Sequence, residues 1–422
     1  MKNEYKKFND QVINFQASNG MEVVLVPRPK YKKVFAAITA NYGAIDRKIK
    51  INNQILEIPA GAAHFLEHKL FEKEKYDAFE LFGQNGADAN AFTNQTETTY
   101  LFSATDKIQE NLDNLIDFVF NPYFTDATVE KEQGIIGQEI MMYDDVPEWR
   151  LYNGILANLY PKQPLSDDIA GSVESIAKIT AEMLYRIHDV FYQPSNLTLK
   201  IVGNFDVEQI QNWIEHILSH QKNWKTDFES IDSFTDEPAV GDQIIKMENV
   251  IQPKIAVGAK SKKPPILKAK GLKVNYAIEI LIDLLFGESS DWFQENYDNG
   301  LIDGSFDLDY ELETRYHYFL MNAQTNQPEK LKEQFLNQIE IAPKLISNSD
   351  RFQRSKKDLL GSMIKRLDSL EQIVLSNDEK LFDVNLFDEI QVVENIQQND
   401  LKEAVEFIKD LNWTTLTLIP ED

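Results

Sequence analysis

Cysteine is absent from this chain of 422 residues. Its absence excludes disulfide bonds and thiolate ligands, so any zinc site must use histidine and carboxylate ligands. The chain also lacks an apolar run long enough to span a membrane, and its N-terminal stretch, MKNEYKK, lacks the apolar segment of a signal peptide. We therefore expect a cytoplasmic protein without a membrane span.

Basic residues are scarce relative to acidic ones. The 43 Lys and Arg against 68 Asp and Glu give a formal net charge of −25, which argues against nucleic acid and anionic membranes as partners. The same charge favours cationic peptides or a less acidic protein partner. The hydrophobic content of 43% is that of an ordinary globular protein, and 422 residues are too many for one hydrophobic core.

Strand and helix patterns occur in a similar order in the two halves of the chain. Strand patterns near the N-terminus give way to a helical period at 60–83 and then to strands at 88–104. After a polar segment at 222–243, strands are again followed by helices. This order is typical of an α+β fold. We predict two similar domains, residues 1–225 and 240–422, each with a mostly antiparallel sheet covered by helices.

The segment from Gly61 to Leu70 contains the pattern H-x-x-E-H, formed by His64, Glu67 and His68. Residues four apart share a helix face, so both imidazoles can bind one ion. Glu67 lies on the same side and can reach a water at the ion without being a ligand. Zinc lowers the pKa of such a water to about 7 and a carboxylate takes its proton, so the pattern predicts hydrolysis. The alternative is a solvated helix face that carries two histidines by chance.

A second pair of histidines, His216 and His220, is also spaced four residues apart. Serine occupies position 219, where the first pair has its glutamate, so this pair lacks a general base. We expect these two histidines to be structural residues near the end of an amphipathic helix.

A catalytic zinc site needs a third protein ligand, which typically comes from a distant helix. Glu132 and Glu139 are seven residues apart and therefore lie about two turns apart on one helical face. From spacing alone, Glu132, Glu139 and Asp144 are near-equal candidates for this ligand.

These residues resemble those of the pitrilysin/insulinase family of zinc peptidases, which includes the mitochondrial processing peptidase, and most of all its short-chain bacterial processing-peptidase-like branch. In that family the third ligand follows the second histidine by somewhat over seventy residues, and another glutamate stands seven residues before it. The gap here is 139 − 68 = 71 residues, so the resemblance implies Glu139 as the third ligand of one zinc ion per chain. It places Glu132 outside the ligand set, hydrogen-bonded to a ligand or to the bound water.

The resemblance extends to the strand that follows the metal helix. Residues 86–93 are similar to the family's edge strand, which pairs with the backbone of an extended peptide. The resemblance therefore implies that Asn90, Ala91, Phe92 and Thr93 bind substrate, and an ordinary sheet edge is the alternative.

The second half of the chain departs from the family pattern. Active members typically carry an Arg and a Tyr there, in a pattern like R-E-x-G-L-x-Y, which bind substrate and stabilise the oxyanion. Tyr297 stands at the Arg position and Asp303 at the Tyr position. Tyr310 or Arg315 are the candidates to substitute, although nothing in the spacing selects them.

The resemblance implies that this chain is one half of a clamshell that encloses peptides. We predict a zinc endopeptidase acting on peptides or small unfolded segments, with Glu67 as general base. We expect a heterodimer in which a homologous chain supplies the Arg/Tyr pair. A homodimer is the alternative, and its weakened oxyanion stabilisation would cost about 10² to 10³ in rate. The rival functions are a non-catalytic structural or assembly subunit and a metal-binding or metal-sensing module.

Overall fold

The computed structural model describes residues 2–5, 7–8, 10–231, 237–261, 265–376 and 378–421. Contacts within the chain divide it into two units. Unit 1 comprises residues 1–141, 167–233 and 369–375, and unit 2 comprises residues 142–166, 234–368 and 376–422. Each unit combines a mostly antiparallel sheet with helices, so the predicted α+β class is confirmed.

Unit 1 contains the N-terminal strands and the H-x-x-E-H segment. Its strands, labelled in chain order, are β1 (Lys2–Tyr5), β2 (Asp10–Gln16), β3 (Glu22–Pro27), β4 (Val34–Ala40), β5 (Lys48–Ile51), β6 (Gln54–Glu57), β7 (Asp88–Thr93), β8 (Thr98–Ala104), β9 (Leu197–Gly203) and β10 (Phe228–Ser230). Its helices are α1 (Ala62–Phe71), α2 (Ala78–Gln84), α3 (Ile108–Phe120), α4 (Asp126–Asp144, whose last residues fall in unit 2), α6 (Val173–Ile176), α7 (Ala181–Phe191), α8 (Val207–His220) and α13 (Leu370–Val374).

The main sheet of unit 1 has seven strands in the order β1-β2-β3-β9-β4-β8-β7. Neighbouring strands are antiparallel except β3 and β9, which are parallel. Every residue of β8 is buried, whereas β7 alternates between exposed and half-buried residues at its start. Within the described residues β7 pairs with β8 alone, so its outer backbone edge is unpaired.

The helical period at 60–83 is interrupted in the structure. Residues 72–77 separate α1 from α2, and Glu72 and Asp77 form an isolated antiparallel bridge. The Asp77 side chain accepts a hydrogen bond from the Phe79 backbone N–H and so caps α2. The cap explains why a second helix begins here, because aspartate before an apolar run is a start signal.

Unit 2 contains the remaining elements. Its strands are β11 (Gln243–Met247), β12 (Lys254–Lys260), β13 (Asp307–Leu312), β14 (His317–Gln324) and β15 (Asn412–Pro420). Its helices are α5 (Pro147–Leu159), α9 (Lys268–Phe286), α10 (Asp291–Asp298), α11 (Pro328–Leu345), α12 (Ser349–Arg366), α14 (Asp378–Phe382), α15 (Leu386–Asn395) and α16 (Leu401–Lys409). The strand order is β11-β15-β12-β14-β13, in which β11 and β15 alone are parallel neighbours. No helix of the described residues is both long and apolar enough to cross a bilayer.

Helix α5 packs on the sheet of unit 2, although it precedes the polar segment in sequence. A Cβ atom added to Gly258 of β12 would lie 2.8 Å from Cγ1 of Ile155, and one added to Gly154 would lie 2.4 Å from Cδ2 of Leu416. Glycine at these two positions therefore lets the helix approach the sheet closely. This contact explains why residues 142–166 group with unit 2, whereas the sequence pattern assigns them to the range 1–225.

Strand β13 carries carboxylates on alternate residues, Asp307, Asp309 and Glu311, and Glu313 follows directly after its end. Burial, together with the negative charges of Asp309 and Glu313, raises the pKa of Glu311 to about 7. The folded chain therefore binds the proton of the Glu311 carboxyl more tightly than the unfolded chain does. The contribution of this proton to the free energy of unfolding is complete below the unfolded pKa and is lost as the pH rises through about 7.

The variant Glu311→Gln is therefore expected to be more stable than the wild type at pH 8, by on the order of 1–3 kcal/mol. The two proteins should have similar stability near pH 4.5, because the wild-type carboxyl is then protonated in the folded chain. Calorimetric unfolding at both pH values measures the difference, with the exposed Glu295→Gln in α10 as the matched control. An equal effect of Glu311→Gln at both pH values would contradict the expectation.

Candidate metal centre

The start of helix α1 is fixed by two glycines, each of which lies close to the backbone of the other's segment. Gly61, immediately before the helix, has φ 85°, and a Cβ atom there would lie 2.3 Å from the Ala170 carbonyl oxygen. Gly171 has φ 77°, and its Cβ atom would lie 2.5 Å from the Ala60 carbonyl oxygen. Only glycine allows this positive φ and this close approach together. The backbone around Ala170 and Gly171 thus fixes the start of the helix that carries both histidines.

The apolar face of α1 turns into the core, since Phe65, Leu66 and Leu70 are fully buried. The opposite side of the helix carries His64 and His68, whose ring centroids lie 4.5 Å apart. Residues four apart on a helix are neighbours, so burial of one face presents both imidazoles on the other.

Helix α4 brings Glu139 to the two imidazoles. The Nε2 atom of His64 lies 3.8 Å from Oε1 of Glu139, and the Nε2 atom of His68 lies 3.9 Å from its Oε2. One ligand atom from each of the three side chains lies within 4.8 Å of the others. Across the described ranges this is the one group of three or more His, Asp or Glu side chains with the spacing of a metal site.

The donor set and its spacing fit a zinc ion. Ligand atoms about 2.0–2.1 Å from a tetrahedral zinc lie roughly 3.3 Å from one another, slightly closer than the separations seen here. The separations are too long for hydrogen bonds, and the buried Nδ1 of His64 has no hydrogen-bond partner within the described chain. Burial, together with the neighbouring His68, lowers the pKa of His64 to about 4, so the imidazole is neutral and its lone pair is available for a metal.

Glu132 contacts the same group from the side. Its Oε1 lies 3.1 Å from Nδ1 of His68, the nitrogen that does not face Glu139. Burial lowers the pKa of His68, but the hydrogen bond that Glu132 accepts and the charges of the surrounding glutamates outweigh this effect and raise the pKa above its usual value. Hydrogen bonding at Nδ1 orients the ring and leaves Nε2 as the ligand atom, which is the common arrangement around metal-binding histidines.

Replacing Glu132 with alanine is expected to weaken zinc binding by about 10- to 100-fold, because the His68 ring loses the group that orients it. Competition against a chromogenic zinc chelator gives the affinity, and Glu130→Ala, an exposed change on the same helix, is the control. Unchanged zinc affinity in Glu132→Ala would show that the hydrogen bond has no part in the site.

Glu67 lies beside the three-residue group but is not a member of it. Only 8% of its surface is exposed, and its Oε2 accepts a hydrogen bond of 2.6 Å from the Thr93 hydroxyl. Burial raises the pKa of Glu67, and the hydrogen bond from Thr93 opposes that rise. A buried carboxylate next to a metal site has the position and the environment of a general base.

Strand β7 runs alongside this centre, since α1 contacts it. Asn90, Ala91, Phe92 and Thr93 occupy the outermost strand of the sheet, as the sequence predicts. The sequence did not reveal that Thr93 bonds to Glu67, because contacts between a helix and a strand 26 residues apart leave no periodic signal. Binding of substrate by these four residues stays a prediction.

Other residues highlighted in the sequence have ordinary surroundings. His216 and His220 are exposed in the last turns of α8, and the His220 ring contacts the His216 carbonyl oxygen at 2.7 Å. In unit 2, Tyr297 is 52% exposed and stacks on Phe293, and Asp303 accepts a hydrogen bond from the Ser305 backbone.

Comparison with known proteins identifies the family to which this chain belongs. Residues 57–173 match the family model described as insulinase, peptidase family M16, and residues 178–356 match the one described as the peptidase M16 inactive domain. The chain is 40% identical over 418 residues to the uncharacterized zinc protease YmfH of Bacillus subtilis, covering 96% of this chain and 95% of that protein. The chain belongs to the M16 family of peptidases. The predicted resemblance is thereby confirmed.

Further M16 relatives support the same conclusion. The structure is similar to one described as an M16-like peptidase from Alicyclobacillus acidocaldarius, with a TM-score of 0.92 and 31% identity over 98% of this chain and 99% of that one. The chloroplastic stromal processing peptidase of Oryza sativa subsp. japonica is 29% identical over 223 residues, which are 50% of this chain and 17% of that protein. The segment matching the insulinase model contains His64, Glu67, His68 and Glu139. The names of these relatives indicate a zinc-protease function at the level of the family.

Proposed function

We propose that this chain is a zinc-dependent endopeptidase in which His64, His68 and Glu139 hold one zinc ion and Glu67 is the general base. The observation that carries the proposal is the meeting of two imidazoles and a carboxylate beside a buried glutamate that remains outside the ligand group. A metal-binding or metal-sensing module would need the three ligands but would have no use for Glu67.

The side chains divide the work of hydrolysis among themselves. When bound, zinc supplies an acidified water and polarises the scissile carbonyl. Glu67 accepts the proton of the attacking water and delivers it to the leaving amine, as a general base that becomes a general acid. Glu132 orients His68 through Nδ1, and the unpaired edge of β7 pairs with the backbone of the peptide, which selects extended segments with little regard to side chain.

The absence of the family's Arg/Tyr pattern supports a partner chain. Tyr297 and Asp303 occupy its positions, and neither offers a cation for a substrate carboxylate or a developing oxyanion. We propose that a homologous chain supplies both groups in a heterodimer. A non-catalytic subunit is the second candidate, because the second half of the chain matches a model described as an inactive domain.

Cleavage of an internally quenched peptide library tests these proposals. The chain is assayed alone and together with a co-purified homologue, and zinc is quantified in both samples. Cleavage that appears only with the homologue supports an active site whose Arg/Tyr pair comes from the partner chain. Full cleavage by the chain alone contradicts the heterodimer. Zinc binding without cleavage in either sample favours the non-catalytic subunit.

A further inference from the structure

Thr93 links the edge of the sheet to the proposed general base. It is the last residue of β7, and its hydroxyl donates to Oε2 of Glu67 over 2.6 Å. A short hydrogen bond from a hydroxyl to a carboxylate is charge-assisted and about twice as strong as one between neutral groups. Thr93 is therefore suited to hold one carboxylate oxygen in a fixed position.

The neighbouring Thr98 hydroxyl does not compete with Glu67 for the hydroxyl proton of Thr93. Thr98 lies opposite Thr93 in the β7–β8 register, and their Oγ1 atoms are 3.4 Å apart. The Thr98 hydroxyl donates to the Tyr42 carbonyl oxygen over 2.9 Å, and a hydroxyl has a single proton to give. Thr98 thus satisfies a backbone acceptor, while the single proton of Thr93 points to Glu67.

We propose that Thr93 is a positioning residue for peptide hydrolysis, which fixes Oε2 of Glu67 so that Oε1 is turned to the attacking water. This inference rests on the proposed function. Because Thr93 also ends the edge strand, backbone pairing of a peptide with β7 orders the residue that holds the base. Substrate binding and alignment of Glu67 are thereby coupled through one side chain.

Three substitutions distinguish the effect of the Thr93 hydroxyl from that of the side-chain shape around it. Thr93→Val keeps the branched shape and removes the donor, whereas Thr93→Ser keeps the donor. Thr99→Val is the matched control, because the Thr99 hydroxyl pairs with that of Thr39 over 2.9 Å on the adjacent strands, and neither forms a described hydrogen bond with Glu67. All variants are compared for thermal unfolding and zinc content.

We expect Thr93→Val to lower kcat by about 10- to 100-fold, since misplacement of a catalytic group and loss of a bond to a charged group have effects of this size. KM and zinc content should stay within about twofold of the wild type, because the backbone edge and the ligands are unchanged. Thr93→Ser should recover most of the loss, and Thr99→Val should match the wild type. In a Glu67→Gln background, Thr93→Val should cause no further loss, because the two residues act as one unit.

Crystal structures of the zinc-loaded wild type, Thr93→Ser and Thr93→Val give a readout that needs no activity. The Glu67 carboxylate should keep one position in the first two proteins and move in the third. An unmoved Glu67 in Thr93→Val, or an unchanged kcat, would overturn the proposal. If Glu67 moves but even the wild type cleaves no peptide, the positioning role stands and the proposed function fails.

Discussion

Replacing Glu67 with glutamine is expected to lower kcat by about 10²- to 10⁴-fold, the usual contribution of general acid–base catalysis. The change is nearly isosteric, and the amide oxygen of glutamine can still accept the Thr93 hydrogen bond that Oε2 accepts now. What disappears is the ability to take a proton from the attacking water. The loss should therefore appear in kcat with little change in KM.

The zinc content of Glu67→Gln shows whether the variant has lost only its general base or has also lost the zinc site. Glu67 lies outside the three-residue group proposed to hold zinc, so zinc should bind the variant about as well as the wild type. Glu74→Gln, an exposed change in the segment after α1, is the control for the substitution itself. A variant that binds zinc and still cleaves peptides at the wild-type rate would show that another group removes the proton.

The local part of this site could be predicted from sequence because it depends on helical spacing alone. His64 and His68 are four residues apart, and burial of Phe65 and Leu66 decides which way both imidazoles point. His216 and His220 have the same spacing, yet among the described residues they belong to no group of three side chains with the spacing of a metal site. The glutamate between the first pair is thus the informative residue.

The third proposed ligand could not be selected from spacing, because helices α4 and α1 are distant in sequence and meet only in the folded chain. Spacing left Glu132, Glu139 and Asp144 as near-equal candidates. In the structure Glu132 contacts Nδ1 of His68, and Glu139 contacts the Nε2 atoms of both rings. Asp144 lies near Arg150 at the exposed end of the helix. A single chain sequence carries no record of which carboxylate faces which nitrogen.

In the fold, too, local sequence patterns predicted the class of structure but not the contacts between distant segments. Alternation and helical periods predicted the α+β class, which the mostly antiparallel sheets and the helices of both units confirm. They missed the hairpin of β5 and β6, although Asn52 and Asn53 between the strands have φ 48° and 65° and are typical residues of such a turn. They also missed that α5 packs on the second sheet, because only the close approach at Gly154 and Gly258 makes that contact favourable.

Replacing Glu139 with alanine is expected to weaken zinc binding by more than the roughly 10- to 100-fold that loss of an orienting residue such as Glu132 causes. Among the described residues Glu139 is the carboxylate that faces Nε2 of both imidazoles, so its loss leaves two imidazoles and removes the negative charge from the three-residue group. Activity should be lost together with the metal.

Thermal unfolding with and without zinc measures this effect independently of any substrate. A ligand that binds only the folded chain stabilises it by about 2.7 kcal/mol at a concentration of 100 Kd, so zinc should raise the Tm of the wild type and of the exposed control Gln138→Ala. The Tm of Glu139→Ala should respond little at the same zinc concentration. An equal rise in Tm for Glu139→Ala would place the third ligand elsewhere, whereas a rise abolished in Glu139→Ala and kept in Glu67→Gln would assign binding and proton transfer to different glutamates.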